Sequence, residues 1–327
     1  MKKAYIYVLI STFLFSSMEI SLKLAGSQFN GVQLNFLRFL IGGLALVPLA
    51  VHNMKQRHVT FQKQDIGTFL LTGFVGVVVS MTFFQIAVEV DAASTVAVLF
   101  SSNPIFALIF GYIILHETLT RSNLIAVVVS VIGLLVIVNP AHLTNPLGIS
   151  LALIAALTFG LFAIMQRQVG MKRGYDGLTM NTFSFIAGAL ELMVIMILSH
   201  IQGVANLFIK NPVMHDFSNI PFFQGITIHN IILLAYIFLG VTAAGYVLYS
   251  LAMEASDVST ASLVFFIKPA LAPILALIIL HESIKLNTII GVVIIVIGST
   301  IMFIGNRYSS KADTVPYQQE TETQKKA

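Results

Sequence analysis

Apolar residues dominate this chain in long uninterrupted runs, broken by short polar segments. A helix needs roughly 20 apolar residues to cross a bilayer core. Runs of that length lie at about 4–24, 31–51, 65–88, 92–115, 121–139, 146–166, 178–199, 229–252, 259–280 and 286–305, which predicts ten spans. Membrane β-strands would alternate apolar and polar positions. Val127-Val128-Val129, Ile278-Ile279-Leu280 and Val292-Val293-Ile294-Ile295 are apolar at every position, so the spans are helical. The first run follows Lys2 and Lys3, but it is long for a signal peptide, carries Glu19 and precedes further spans. The pattern predicts an all-α polytopic membrane protein.

Composition agrees. Of the 327 residues 57% are hydrophobic and 10% charged, too little polar surface for a soluble chain. Charge placement sets the expected orientation. With the N-terminus inside, 13 Lys and Arg fall in cytoplasmic segments, and Lys23, Lys210 and Lys285 fall outside. Both termini are therefore expected in the cytoplasm, with the chain in the plasma (inner) membrane. The basic residues sit in loops rather than on one face of a domain, so no nucleic-acid partner is expected. The polar stretch after 305 predicts a disordered tail, 306–327.

The chain also repeats itself. Ala87-Val88-Glu89 matches Ala252-Met253-Glu254, Ser94-Thr95 matches Ser259-Thr260, and Pro104 matches Pro269. His116-Glu117 matches His281-Glu282, and Gly133 matches Gly298, all 165 positions apart without a gap. Each copy, about 1–140 and 145–305, holds five spans. Five is odd, so the second copy enters the membrane from the opposite side, as in inverted-repeat transporters.

These residues resemble the EamA-type branch of the drug/metabolite transporter superfamily. The resemblance rests on Ala87, Ser94-Thr95, Pro104, Glu117 and Gly133, on their second-copy counterparts, and on Lys23 and Arg38. It implies a secondary transporter of small metabolites, amino acids or related compounds, with export as the family tendency and alternating access as the mechanism. The sequence departs from the family at Phe15-Ser16, where Trp-Gly is common, at Glu19, and at Lys268, whose first-copy counterpart is the neutral Asn103.

Candidate site residues follow from intramembrane polarity, which usually marks an interior cavity. Glu19, Arg38 and Glu191 fall at comparable depth and Lys268 at the midplane. Lys268 is expected either to meet a substrate carboxylate or phosphate, to titrate, or to form a structural ion pair. Glu19 is expected to pair with Arg38, or, with Glu191, to carry a proton or a cationic amine. Pro104 and Pro269 each remove a mid-helix hydrogen bond and are expected to line the cavity with Asn103, between spans 1, 3, 4 and 6, 8, 9. Phe84, Tyr246 and Tyr249 supply aromatic faces. His116-Glu117 and His281-Glu282 lack the second His of a zinc helix, no phosphate-binding glycine loop is present, and there is no cysteine. No catalytic residue, metal or cofactor is therefore expected. The expected partners are a small-molecule substrate, the bilayer and, as coupling ion, protons; a monomer and a homodimer fit equally. A proton-coupled exporter of cationic amines or drugs, a lipid scramblase and a lipid-modifying enzyme are the alternatives.

Overall fold

A computed structural model describes residues 2–142, 145–209, 215–255 and 258–312. Among them no strand occurs, and nine helical segments are long and apolar enough to cross a membrane. The remaining expected span, span 9, is the continuous helix α14 (Val258–Ile279), whose apolar stretch Leu263–Ile279 is shorter than the other nine. Spans 2, 5, 6, 7 and 10 are single helices: α3 (Gly31–Gln56), α8 (Arg121–Val138), α9 (Pro146–Arg173), α10 (Gly177–Ser199) and α15 (Leu286–Ala312). Side-chain caps fix several starts. Asn30 accepts from the amides of Val32 and Gln33, and Asn145, Asp176 and Thr120 cap α9, α10 and α8. The last helix continues to Ala312, past the tail boundary set at 305; the remainder of that expected tail, 313–327, lies outside the described residues.

The other spans are interrupted. Span 1 divides at Ser17 into α1 (Lys2–Ser16) and α2 (Met18–Gly26). Span 4 divides at Ser101-Ser102 into α6 (Ala93–Phe100) and α7 (Asn103–Leu115), so Pro104 opens a new helix rather than kinking an old one. Pro269, with Pro273, instead lies inside the continuous α14. Span 3 joins α4 (Lys63–Gly73) and α5 (Thr82–Val90) through a π-helical stretch, Phe74–Met81. Span 8 joins α12 (Ile231–Ala235) and α13 (Gly245–Ala255) through another, Tyr236–Ala244. Wide turns loosen the backbone ladder and often sit beside functional sites. Their freed carbonyls are met by side chains: Asn35 donates to the Val77 carbonyl (3.1 Å) and Thr242 to that of Ile237 (2.9 Å).

The sequence repeat recurs in three dimensions. His116 and His281 both adopt the left-handed region at φ 54°. The following amides reach back alike, Glu117 to the Gly111 carbonyl and Glu282 to that of Ala276. The two closing helices, α8 and α15, pack reciprocally. A Cβ on Gly133 would lie 3.0 Å from the Gly291 carbonyl oxygen, and one on Gly298 would lie 3.1 Å from that of Ala126. Positions 126 and 133 exchange roles with 291 and 298 across this contact. Gly133→Ala and Gly298→Ala are each expected to cost about 1–3 kcal/mol through overpacking. Unfolding of the purified protein in detergent measures this; unchanged stability in both would refute the close approach.

Inter-helix contacts sort the span ends onto two faces. On one, Arg173 Nε lies 3.1 Å from Asp65 Oδ1, and Tyr175 donates to Asp65 Oδ2 (2.7 Å). On the other, Lys23 meets the end of α5, Asn145 donates to the Val90 carbonyl, and Asn287 donates to that of Ile137. The connection after α10 seats here too, with Asn30 donating to the Asp216 carbonyl and Gln33 to that of Gln224. It carries the short helix α11 (Gln202–Ile209). Span 1 ends on this second face and span 6 begins on it.

The Asp65 clasp predicts a pH effect. Burial, then the bond to Asp65, push the Tyr175 phenol well above its ordinary value of 10.0. The folded state holds that proton more tightly than the unfolded chain, so the stabilisation is intact below pH 10 and lost as the pH rises above it. Unfolding curves across this range should fall more steeply for the wild type than for Tyr175→Phe; parallel curves would exclude the linkage.

Candidate functional site

The interruptions converge on one cavity of about 260 Å³ at the middle of the bundle. Phe15 and Met18 flank the break in span 1, and Phe100, Ser101, Asn103 and Pro104 surround the break in span 4. Met81 closes one π stretch, and Val241 and Thr242 belong to the other. Tyr246, Tyr249, Phe265 and Lys268 complete the far wall. Spans 2 and 7 contribute as well, through Arg38 and Asn181, which the expected six-span lining did not include.

The charged groups are arranged unevenly. Lys268 Nζ lies 2.8 Å from Glu19 Oε1, both side chains essentially sealed from solvent, and 5.3 Å over the Phe100 ring. Glu19 falls in the first turn of α2, where the helix dipole favours a carboxylate, so the break at Ser17 helps to hold it there. Glu19 therefore pairs with Lys268 and not, as one sequence reading had it, with Arg38. Arg38 is 3% exposed and stacks over Phe39, its Cζ 4.3 Å from the ring centroid. Its Nη2 donates to the Met81 sulfur at 3.2 Å, while Nε and Nη1 are buried without a hydrogen-bond partner among the described residues.

Of the expected site residues, Arg38, Asn103, Pro104, Tyr246, Tyr249 and Lys268 line the cavity. Glu19 reaches it only through Lys268. Phe84 is fully buried one layer behind, its ring 4.5 Å from that of Phe100. Pro269 is not among the lining residues, because its neighbour Lys268 occupies the inward face of α14. Glu191 is not brought to the cavity either; it is half-buried elsewhere on α10, with Oε2 unpartnered among the described residues. Sequence reasoning missed Phe15, Phe159, Phe162 and Phe265, whose aromatic character is common to lipid-facing and packed positions alike. It also missed Gln166 and Asn181, side-chain amides within spans that bond each other at 3.0 Å; their polarity was an available signal.

The two ends of the cavity differ. Toward the face that carries the N-terminus the lining continues through Phe162, Ala163, Gln166 and Asn181. Beyond them Arg167 and Glu117 form an ion pair at 2.7 Å that is largely exposed, 55% and 36%. At the opposite end hydrogen bonds tie the elements together. Glu282 accepts from the amides of Ala93 and Ser94 and from the Ser94 hydroxyl, at 2.8, 3.0 and 2.7 Å. Lys23 Nζ donates to the carbonyls of Val88, Glu89 and Asp91 within 2.9 Å. Burial raises the Asp91 carboxyl above its ordinary range, opposed by its bond from the Ala92 amide and by the Lys23 and Lys285 charges.

Among the described residues, nine long apolar helical segments and the shorter α14 enclose a charged cavity, which defines a polytopic membrane protein. The chain belongs to the EamA-like transporter family, whose profile matches twice, over residues 2–139 and 146–304. An uncharacterized transporter of Clostridium kluyveri is 34% identical over 316 residues, 94% of this chain and 95% of that protein. A pseudopaline exporter of Pseudomonas aeruginosa is 26% identical over 140 residues, 43% of this chain and 48% of the exporter. A crystal structure of a protein with 16% sequence identity shares the fold at a TM-score of 0.61, covering 91% of this chain and 95% of the other.

Proposed function

We propose that this protein is a secondary transporter whose two halves, about 1–140 and 145–305, form an inverted repeat and give alternating access to the central cavity. The observation that carries the reading is the cavity itself: both halves line it, and it is approached from one face while Lys23 and Glu282 close the other. Span 1 ending where span 6 begins supports the inversion. The excess of Lys and Arg in the segments expected on the N-terminal side supports a cytoplasmic placement of that face and of both termini, in the plasma membrane. The conformation is then inward-open, waiting for a cytoplasmic substrate, which suits export of small metabolites such as amino acids or related compounds. Export by the Pseudomonas relative lends the direction some support.

The alternative of a cationic amine or drug carried on Glu19 or Glu191 has weaker support. Glu19 is occupied by Lys268, and Glu191 does not line the cavity.

Plugging the cavity tests the route. Ala107 and Ala163 are lining residues on opposite halves. Ala107→Trp and Ala163→Trp are each expected to reduce flux of a labelled metabolite pool from proteoliposomes at least roughly tenfold while leaving the protein folded, since a void of a few hundred Å³ is the size of a small-ligand site. Normal flux through both plugged variants would remove the cavity from the path.

A further inference from the structure

The charge balance around the cavity identifies the class of substrate. Two cations, Arg38 and Lys268, lie on its wall, and among the described residues no carboxylate lines it. The single acidic partner behind the wall, Glu19, is in contact with Lys268. That pair is locally neutral, and Arg38 is left as net positive charge. A guanidinium stays charged in proteins and offers five N–H donors. Among the described residues its one hydrogen bond goes to a thioether, a weak acceptor. A 97% buried cation with donors unanswered is costly unless something else compensates it. The walls say what else the compensating group carries: Phe15, Tyr246, Tyr249 and Phe265 form edge-on and stacked contacts with one another around it, and Phe100 packs against Phe159.

We propose that Arg38 is the anion-binding centre of the transport cavity, and that the substrate is a compact organic monoanion. A carboxylate or equivalent oxyanion accepts from the guanidinium, and an apolar or aromatic body lies against the Phe and Tyr wall. A single charge matches the single uncompensated cation. Amines are selected against because they would meet Arg38 and Lys268 with no free acidic side chain in reach. The positioning of Arg38 depends on Met81 and Phe39, which hold the guanidinium plane without neutralising it. This inference rests on the cavity being the transport site.

The test uses the full-length protein purified in detergent and three probes of one shape: phenylacetate, phenylacetamide and phenethylamine. A ligand that binds the folded state raises its melting temperature. Phenylacetate is expected to raise it with increasing concentration, and the amide and amine are expected to do little. The chain contains no tryptophan, so Phe265→Trp places a single fluorophore in the wall; its emission should respond to phenylacetate alone. Arg38→Gln should weaken that response roughly tenfold or more, the usual worth of a charge-assisted hydrogen bond, and Arg38→Lys should restore part of it. Equal shifts from acid and amide would overturn the proposal, as would an intact response in Arg38→Gln, or no response to any probe. A preference for phenethylamine would overturn it while leaving the cavity as a binding site, which separates this failure from failure of the transport reading. The comparison of probes needs only wild-type protein and stands even if the Arg38 variants do not fold.

Discussion

Lys268→Met is expected to destabilise the protein by about 3–5 kcal/mol, because it strands the Glu19 carboxylate in the interior. Glu19→Leu should cost a similar amount by stranding Lys268. The two side chains are 5% and 0% exposed and 2.8 Å apart, so a lone Glu19 carboxylate has no water to replace its partner. The double variant Glu19→Leu/Lys268→Met is expected to recover most of the loss, since removing both charges removes the uncompensated burial along with the attraction. Chemical unfolding in detergent of the wild type, both single variants and the double variant measures the coupling. Strictly additive losses would mean that the pair contributes nothing as a pair. The same cycle bears on function: if the pair only neutralises Lys268, the double variant should keep its response to an anionic probe.

Glu282→Ala is the second large effect. Its carboxylate takes three hydrogen bonds at the start of α6, two of them from backbone amides that have no intrahelical partner. Glu282 is partly solvated, so the combined loss is discounted to about 2–4 kcal/mol from a sum of charge-assisted bonds. About 2.8 kcal/mol would change the ratio of closed to open on that face about a hundredfold. The chain has no cysteine, so Met18→Cys in the cavity wall is a single reporter. In a wild-type background it should react with a membrane-impermeant maleimide applied to the N-terminal face, and slowly from the other side. With Glu282→Ala the second reaction should accelerate at least roughly tenfold, following the shifted population. Equal rates in the two backgrounds would show that this end of the cavity is closed by something other than Glu282.

The spans, their number and the duplicated half were legible because they depend on periodicity and spacing, which a linear chain displays directly. Counting residues along a helix put Lys268 at the midplane and Glu19, Arg38 and Glu191 at a comparable depth on its outer side, and of these Arg38 and Lys268 line one cavity. What could not be read was azimuth, the direction in which a side chain leaves its helix relative to neighbours not yet assembled. Glu191 shares the depth of Arg38 but points away from the cavity. Arg38 was the expected partner of Glu19, whereas the division of span 1 at Ser17 and the unbroken course of α14 bring Lys268 to it. The π stretches in spans 3 and 8 left no mark in composition, because their sequences, such as Phe74–Met81, are ordinary apolar helix. Pro104 and Pro269 match in sequence and differ in outcome. Two serines precede the first and permit a break, whereas Lys268 is tied down immediately before the second.

Glu117 and Glu282 occupy equivalent positions in the two copies yet hold different partners, Arg167 in one case and the first amides of α6 in the other. The counterpart of α6 in the sequence is the start of α14, 165 residues further on, and Glu117 is the counterpart of Glu282. In the proposed alternating-access cycle a latch of the same design forms at each door in turn, from matching donors and a matching acceptor. Opening one and fastening the other exchanges like for like, so the empty protein has little reason to prefer either posture. The small differences between the copies, Arg167 against Lys23 among them, then decide which door rests ajar, and a modest cargo affinity is enough to turn the machine over.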